Sequence, residues 1–312
     1  MFWTPRRDQL RRCFTSMLTR LKSEKRPLRF VISRLLWKWR ICHLFVIERR
    51  GYRIRFNPTA MSASLWVDSE FSAEDEYFFE ALLKPGDTAI DVGANIGALT
   101  LCAAATVGAS GKIFSIEAHP VIFGYLVRNL RLNKSTNIEA HNLAIGNRKG
   151  KAAFTDQRSD DQNAIAVGAE GIEIDLRPLD EVIPSEARIA LLKIDVEGYE
   201  LFVLQGASST LDRTDVVYFE SWQKHFERYG YLTADVVTLL ERKGFSVYRN
   251  GRHTLERVDS TYCSARCENL VAIRDGVDFV SRTGFTLSDN VRNTPESLRE
   301  DLFHETTRGP VS

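Results

Sequence analysis

Four acidic residues each end or follow a short apolar run: Asp91 after Ala89-Ile90, Glu117 after Ile116, Asp195 after Ile194 and Glu220 after Phe219. Carboxylates at strand ends face the crevice where open α/β sheets take their ligands. Just past Asp91 comes the turn Gly93-Ala94-Asn95-Ile96-Gly97, followed by an apolar helix pattern. Gly93 lets the backbone come close to a ligand, and the first N–H groups of the helix lack internal partners. The spacing is Gly-x-Asn-x-Gly rather than Gly-x-Gly-x-x-Gly. That argues against a dinucleotide pyrophosphate and towards S-adenosylmethionine. On this reading Asp91 meets the cofactor directly or through water. Asn95 bonds either the loop or the cofactor's carboxylate, and the helix start near Gly97 favours that anion. Glu117 stands 24 residues after Gly93, where an acid reaches both ribose hydroxyls.

A second constellation is Leu192-Lys-Ile-Asp-Val-Glu-Gly-Tyr-Glu-Leu201. Strand alternation puts Lys193, Asp195 and Glu197 on one side. Charges at the end of a buried strand are costly unless paired or functional. One reading is a structural Lys193–Asp195 pair. The other places Asp195 beside a transferring methyl group and Lys193 or Glu197 near its acceptor, with Glu220 pointing into the same crevice. Asp195 and Glu197 are then the first candidates for a general base and His225 the second, although a lone histidine is more often a packing residue. His119 is the other histidine near a strand end. Cys263-x-x-x-Cys267 has no second pair at zinc-finger spacing and reads as two thiols, with no metal expected.

The elements that must hold these groups follow from periodicity. Strands are expected at Thr88–Val92, 112–117, 138–142, 172–176, 189–195, 216–220, 245–248 and 269–273. Helices are expected at 73–83, Ala98–Val107, Pro120–Leu132, 200–211 and 234–243. Alternation of this kind means an open α/β sheet wrapped by helices. The polar segment 147–170 and the loop after Glu220 are expected to shape the acceptor pocket.

Charge divides the chain. Residues 1–50 hold 14 Lys/Arg against 3 Asp/Glu, or +11, which leaves −10 for the rest of a chain whose net charge is +1. The acidic body argues against nucleic acid as a partner. In the leader, Leu28, Val31, Ile32, Leu35, Leu36, Trp39, Cys42 and Val46 recur at helical spacing. Two readings follow for 28–47: a basic amphipathic helix on an anionic membrane, or a helix docked on its own domain. Apolar runs stay below ~18 residues, so no spanning helix is expected. Five irregularly spaced cysteines suggest a reducing, cytoplasmic setting. The organisation expected is a leader (1–50), a strand and helix extension (51–85), the catalytic domain (86–275) and a polar tail (276–312) in which Thr294-Pro295 opens a short helix.

Taken together, Asp91-Val-Gly-Ala-Asn-Ile-Gly97, Glu117-Ala-His-Pro120, Asn142-Leu-Ala-Ile-Gly146 and Leu192-Lys-Ile-Asp-Val-Glu-Gly-Tyr-Glu200 resemble the FkbM family of S-adenosylmethionine-dependent methyltransferases. The resemblance covers roughly residues 75–275, and Lys-Ile-Asp-Val-Glu-Gly is its most diagnostic phrase. It implies a Rossmann-like, seven-stranded, mostly parallel sheet with helices on both faces and a reversed last strand. It also implies O-methylation of a hydroxyl on a sugar, lipid or natural product. It maps cofactor binding to Asp91, Gly93, Asn95, Gly97, Glu117 and Asn142, and the active face to Lys193, Asp195, Glu197 and Glu220. Ala118 departs from the proline common there. A nicotinamide oxidoreductase would need the absent glycine fingerprint. A membrane-peripheral binding protein with a non-catalytic methyltransferase fold is the remaining alternative, opposed by the intact turn and the acidic strand ends.

Overall fold

The computed structural model describes residues 26–155, 163–166, 171–251 and 253–289. The first part of the basic leader and the helix expected at Thr294-Pro295 lie outside these. Helix α1 (Pro27–Lys38) leads into strands β1 (Val46–Glu48) and β2 (Arg53–Arg55), then helices α2 (Ala60–Val67) and α3 (Ala73–Leu82). Strict alternation follows with β3 (Thr88–Val92), α4 (Ala98–Val107), β4 (Lys112–Ile116), α5 (Pro120–Leu132) and β5 (Ile138–His141). Strands β6 (Ala144–Ile145), β7 (Gly150–Phe154) and β8 (Ile172–Arg177) form a small separate sheet. The chain then makes β9 (Ile189–Ile194), α6 (Glu200–Gln205), α7 (Ser208–Asp212), β10 (Thr214–Ser221), α8 (Gln223–Glu227) and α9 (Thr233–Arg242). It closes with β11 (Ser246–Arg249), β12 (Thr254–Arg257), β13 (Glu268–Ile273), α10 (Gly276–Thr283) and β14 (Thr286–Ser288).

The main sheet runs β5-β4-β3-β9-β10-β13-β11-β12-β14. Its first five strands are parallel, and β13 is antiparallel to both β10 and β11. The seven strands from β5 to β11 are the expected sheet with its last strand reversed. Strands β12 and β14 widen it to nine. Every residue of β9 is buried, as a parallel strand covered on both faces requires. Side-chain alternation sends Leu191, Val216 and Tyr218 towards Phe78, Phe79 and Leu101, and Leu192, Ile194, Val217 and Phe219 towards Val203, Val236 and Leu240. The strand order reverses between β3 and β9, so a crevice opens at their carboxyl ends.

Three expectations change. The long helix after Leu28 stops at Lys38, because Arg40 turns left-handed (φ 58°) and Ile41 N donates back to Leu36 O in a Schellman-type end. The helix expected over 200–211 breaks in two. A side chain at Gly206 would meet the Gly146 carbonyl at 2.0 Å, and Asp180 caps the restart by accepting from Ser209 N and Thr210 N. Beyond Asp275 the chain is not simply a polar tail. Phe279 and Phe285 are buried in the core and anchor α10 and β14 to the sheet.

The N-terminal extension packs on this sheet. Phe30, Ser33 and Leu36 form the inner face of α1, and the docking reading holds for that face. Its outer stripe packs on none of the described residues to that extent: Leu28 is 73% and Trp39 62% exposed, with Ile32 and Leu35 exposed between them. Farther on, Glu76 of α3 accepts from Arg49 at 2.7 Å and from Tyr52 at 2.5 Å, which ties the β1–β2 hairpin to α3.

Candidate active site

The β3 strand ends in a turn that only glycine fits. Gly93 has φ 80°, and a Cβ there would sit 1.8 Å from the Asp195 carbonyl. The close approach is therefore to the neighbouring strand end. Asn95 is also left-handed (φ 50°), and its Oδ1 accepts from Ile96 N, so the side chain stabilises its own turn. Gly97 (φ 91°) packs against Leu126, away from the cavity wall.

Glu117 is held from two sides. Its Oε2 accepts from Asn95 N at 2.9 Å and its Oε1 from His119 N at 2.8 Å. Each oxygen keeps a second lone pair for a diol. Burial pushes its pKa up to about 7, against the pull of those two N–H groups and of Lys193. Asn142 lies behind it, donating to the Glu117 and Ala118 carbonyls, and is not on the cavity wall. His119 is the N-cap of α5, its Nδ1 accepting from Val121 N, so it is a structural residue.

Asp91 is also off the wall. It is buried, accepts from Thr100 Oγ1 at 2.5 Å and pairs with Lys193 Nζ at 3.0 Å. Lys193 donates to the Gly93 carbonyl at 2.7 Å and reaches Asp195 at 3.6 Å. Burial alone would lower the Lys193 pKa, but Asp91, Asp195 and Glu117 outweigh it and hold the ammonium firmly charged. Lys193 thus clamps the strand ends β3 and β9, with Asp91 as its buried counter-ion. The expected Lys193–Asp195 pair is present but is the longer of the two, and Lys193 also lines the cavity.

The cavity holds about 290 Å³ and is lined by Gly93, Asn95, Glu117, Lys193, Asp195, Glu197 and Glu220 among others. β9 ends at Ile194, and Glu197 reaches the cavity from a left-handed turn (φ 57°) rather than by strand alternation. Glu200 fixes that turn, its Oε1 accepting from Val196 N and Gly198 N, and burial pushes its pKa up to about 8. Burial, with Glu220, Asp91 and Asp75 nearby, raises Asp195 above the usual carboxylate range despite Lys193. Burial works to raise Glu220 too, but His225 and the Cys267 thiol hold it low. His225 stands behind the wall, 3.4 Å from Glu197 and 3.5 Å from Glu220. Cys267 donates to Glu220 at 2.9 Å.

Sequence reasoning missed Asp75. It sits on α3, outside every strand-end motif, yet it lines the cavity and accepts from Tyr218 Oη and Asn269. Burial raises its pKa as well. Its signal was the acidic run Glu74-Asp75-Glu76 opening that helix. Met61 and Phe71 cover the cavity from the same side, while Phe154, Asn163 and Ile165 come from the segment expected to shape the pocket.

These residues fit S-adenosylmethionine. A buried two-oxygen acceptor with spare lone pairs suits a ribose diol, and a carboxylate-rich crevice beyond it suits a sulfonium. Comparisons with known proteins agree on methyl transfer. "Methyltransferase 1" of Beauveria bassiana is 30% identical over 223 residues, covering 63% of this chain and 86% of that protein. A "Protein-L-isoaspartate O-methyltransferase" of Caenorhabditis elegans is 30% identical over 156 residues, 50% of this chain and 65% of the other. A crystal structure of methyltransferase FkbM from Methylobacillus flagellatus shares 17% identity over 68% of this chain and 54% of that one, with a TM-score of 0.42. Residues 91–247, from the end of β3 into β11, match the Methyltransferase FkbM domain, and the chain belongs to that family of methyltransferases.

Proposed function

We propose that this chain is an S-adenosylmethionine-dependent O-methyltransferase acting on a hydroxyl of a sugar, lipid or natural product. The observation that carries the reading is the charge of the acceptor side. Asp75, Asp195, Glu197 and Glu220 line it, and among the described lining residues the sole cation, Lys193, is engaged with Asp91. An anionic acceptor such as a carboxylate would be repelled there. A neutral hydroxyl, which must lose a proton to become a good nucleophile, would be served.

S-adenosylmethionine supplies a methyl carbon already activated by its sulfonium. Glu117 grips the ribose, the Gly93–Gly97 turn shapes the wall beside it, and Lys193 with Asp91 keeps the strand ends in place. Asp195, raised towards neutral pH, takes the hydroxyl proton and passes it to solvent. A positioned base contributes ~10²–10⁴-fold, and alignment ~7–11 kcal/mol of the barrier.

The test is methyl-labelled S-adenosylmethionine added to the protein with a cell extract, followed by lipid, glycan and protein fractionation and mild alkali. Label that survives alkali, as a methyl ether does, supports the reading. Label released as methanol means a methyl ester and a carboxylate acceptor. Tight donor binding without any labelled fraction favours the non-catalytic binder.

The exposed stripe of α1 supports a location as well. Leu28, Ile32, Leu35 and Trp39 face outward, with Arg26, Arg29 and Lys38 on the same short helix or at its start, within a leader carrying +11. An apolar stripe ringed by cations suits an anionic lipid surface. No helix among the described residues is long and apolar enough to cross a membrane.

A further inference from the structure

Three electron-pair donors converge at the acceptor end of the crevice. Glu197 reaches in from its left-handed turn, Glu220 from β10, and His225 from α8. One ligand atom of each lies within 4.8 Å of the others. His225 is only 7% exposed, and its Nδ1, aimed between the two carboxylates, makes no hydrogen bond. Two anions and an imidazole lone pair repel one another unless a cation lies between them.

That cation is a proton shared from Nδ1 or a metal, and the two edges measured from Nδ1 match the metal more closely. A protonated Nδ1 would draw a carboxylate oxygen to about 2.7–2.9 Å. Here both oxygens stand off almost equally, at 3.4 and 3.5 Å. Around a tetrahedral ion with bonds of ~2.1 Å, neighbouring ligand atoms are about 3.4 Å apart. The geometry points to a divalent cation of the zinc class held by Glu197, Glu220 and His225.

Its surroundings suit such a site. Trp222 packs over the His225 ring at 4.2 Å, and Cys267 donates to the other oxygen of Glu220, so two of the three ligands are oriented by outer partners. Glu197 and Glu220 also line the cavity, so the fourth coordination position opens towards the acceptor. Resting on the proposed hydroxyl chemistry, the ion would bind the acceptor oxygen and lower its pKa, while Asp195 takes the proton. Its two charges offset Glu197 and Glu220 and leave Asp75 and Asp195 to repel anions.

The test uses the full chain, stripped with a chelator and titrated with Zn²⁺ against a chromophoric competitor, then with Co²⁺ as a spectroscopic probe. The expected result is one ion per chain and the intense visible absorption of four-coordinate Co²⁺. His225→Ala and Glu197→Gln should each weaken metal binding about tenfold or more, with S-adenosylmethionine affinity retained in His225→Ala, whose side chain stands behind the cavity wall. Glu197→Gln keeps its shape, so it remains informative if His225→Ala fails to fold. Absence of stoichiometric uptake, or unchanged affinity in Glu197→Gln, overturns the metal site. Failure of the wild type to bind S-adenosylmethionine overturns the methyl-donor reading instead.

Discussion

Glu117 is the residue on which cofactor recognition turns, and its titration gives two opposite signs. The carboxyl titrates at about 7 in the folded chain against an ordinary 4.5. Between those values the folded state holds more protons than the unfolded one, so this group's contribution to stability falls as pH rises through 7. Raising the pH from about 5 to about 8 should make Glu117→Gln gain on the wild type by up to about 3 kcal/mol in urea unfolding of the unliganded protein. Donor affinity should move the other way, since only the ionised form accepts both ribose hydroxyls. Calorimetry should show S-adenosylmethionine binding tighten across pH 7. Glu117→Ala, which removes two charge-assisted hydrogen bonds, should weaken binding by about 3–6 kcal/mol at alkaline pH. Affinity unchanged in the mutant would remove the ribose assignment.

At the scale of elements, the site depends on two strand ends pressed together. Gly93→Ala puts a methyl group into the Asp195 carbonyl and keeps a left-handed backbone, so it should cost several kcal/mol of stability and abolish donor binding. The cover over the cavity depends on a buried pair. Glu76→Ala leaves the Arg49 charge on the Ser69 and Phe71 carbonyls without its counter-ion and should lower stability by about 3 kcal/mol, measured by urea unfolding. The sheet was legible because β3, β4 and β9 are nearly continuous apolar runs and the turns between them carry glycine or proline. Helices α4 and α5 were legible to the residue for the same reason. The split at Gly206 was not, since it answers a contact with Gly146 from a distant segment. Asp75 was hidden likewise. Nothing local marks one acid in Glu74-Asp75-Glu76 as the one that meets Tyr218, which lies 143 residues on. Glu197 was named for the right crevice on the wrong ground, for it is a backbone turn and not strand pleating that aims it.

For the whole molecule, the charge division becomes a matter of orientation. The inner face of α1 is part of the core, so deleting the leader would damage the fold and confuse any localisation experiment. Ile32→Glu with Leu35→Glu alters the outer stripe alone. Wild type should sediment with vesicles rich in anionic lipid and release as salt rises. The double variant should stay in solution with an unchanged melting temperature. Equal partitioning of both would mean that this stripe does not meet lipid.

The binding and transfer outcomes presuppose where the methyl donor lies, and a crystal structure of the chain with S-adenosylmethionine tests that most directly. The ribose hydroxyls are expected on Glu117, with the sulfonium methyl directed at the space between Asp195, Glu197 and Glu220. A donor bound elsewhere, or one whose methyl group faces away from those carboxylates, would contradict the account.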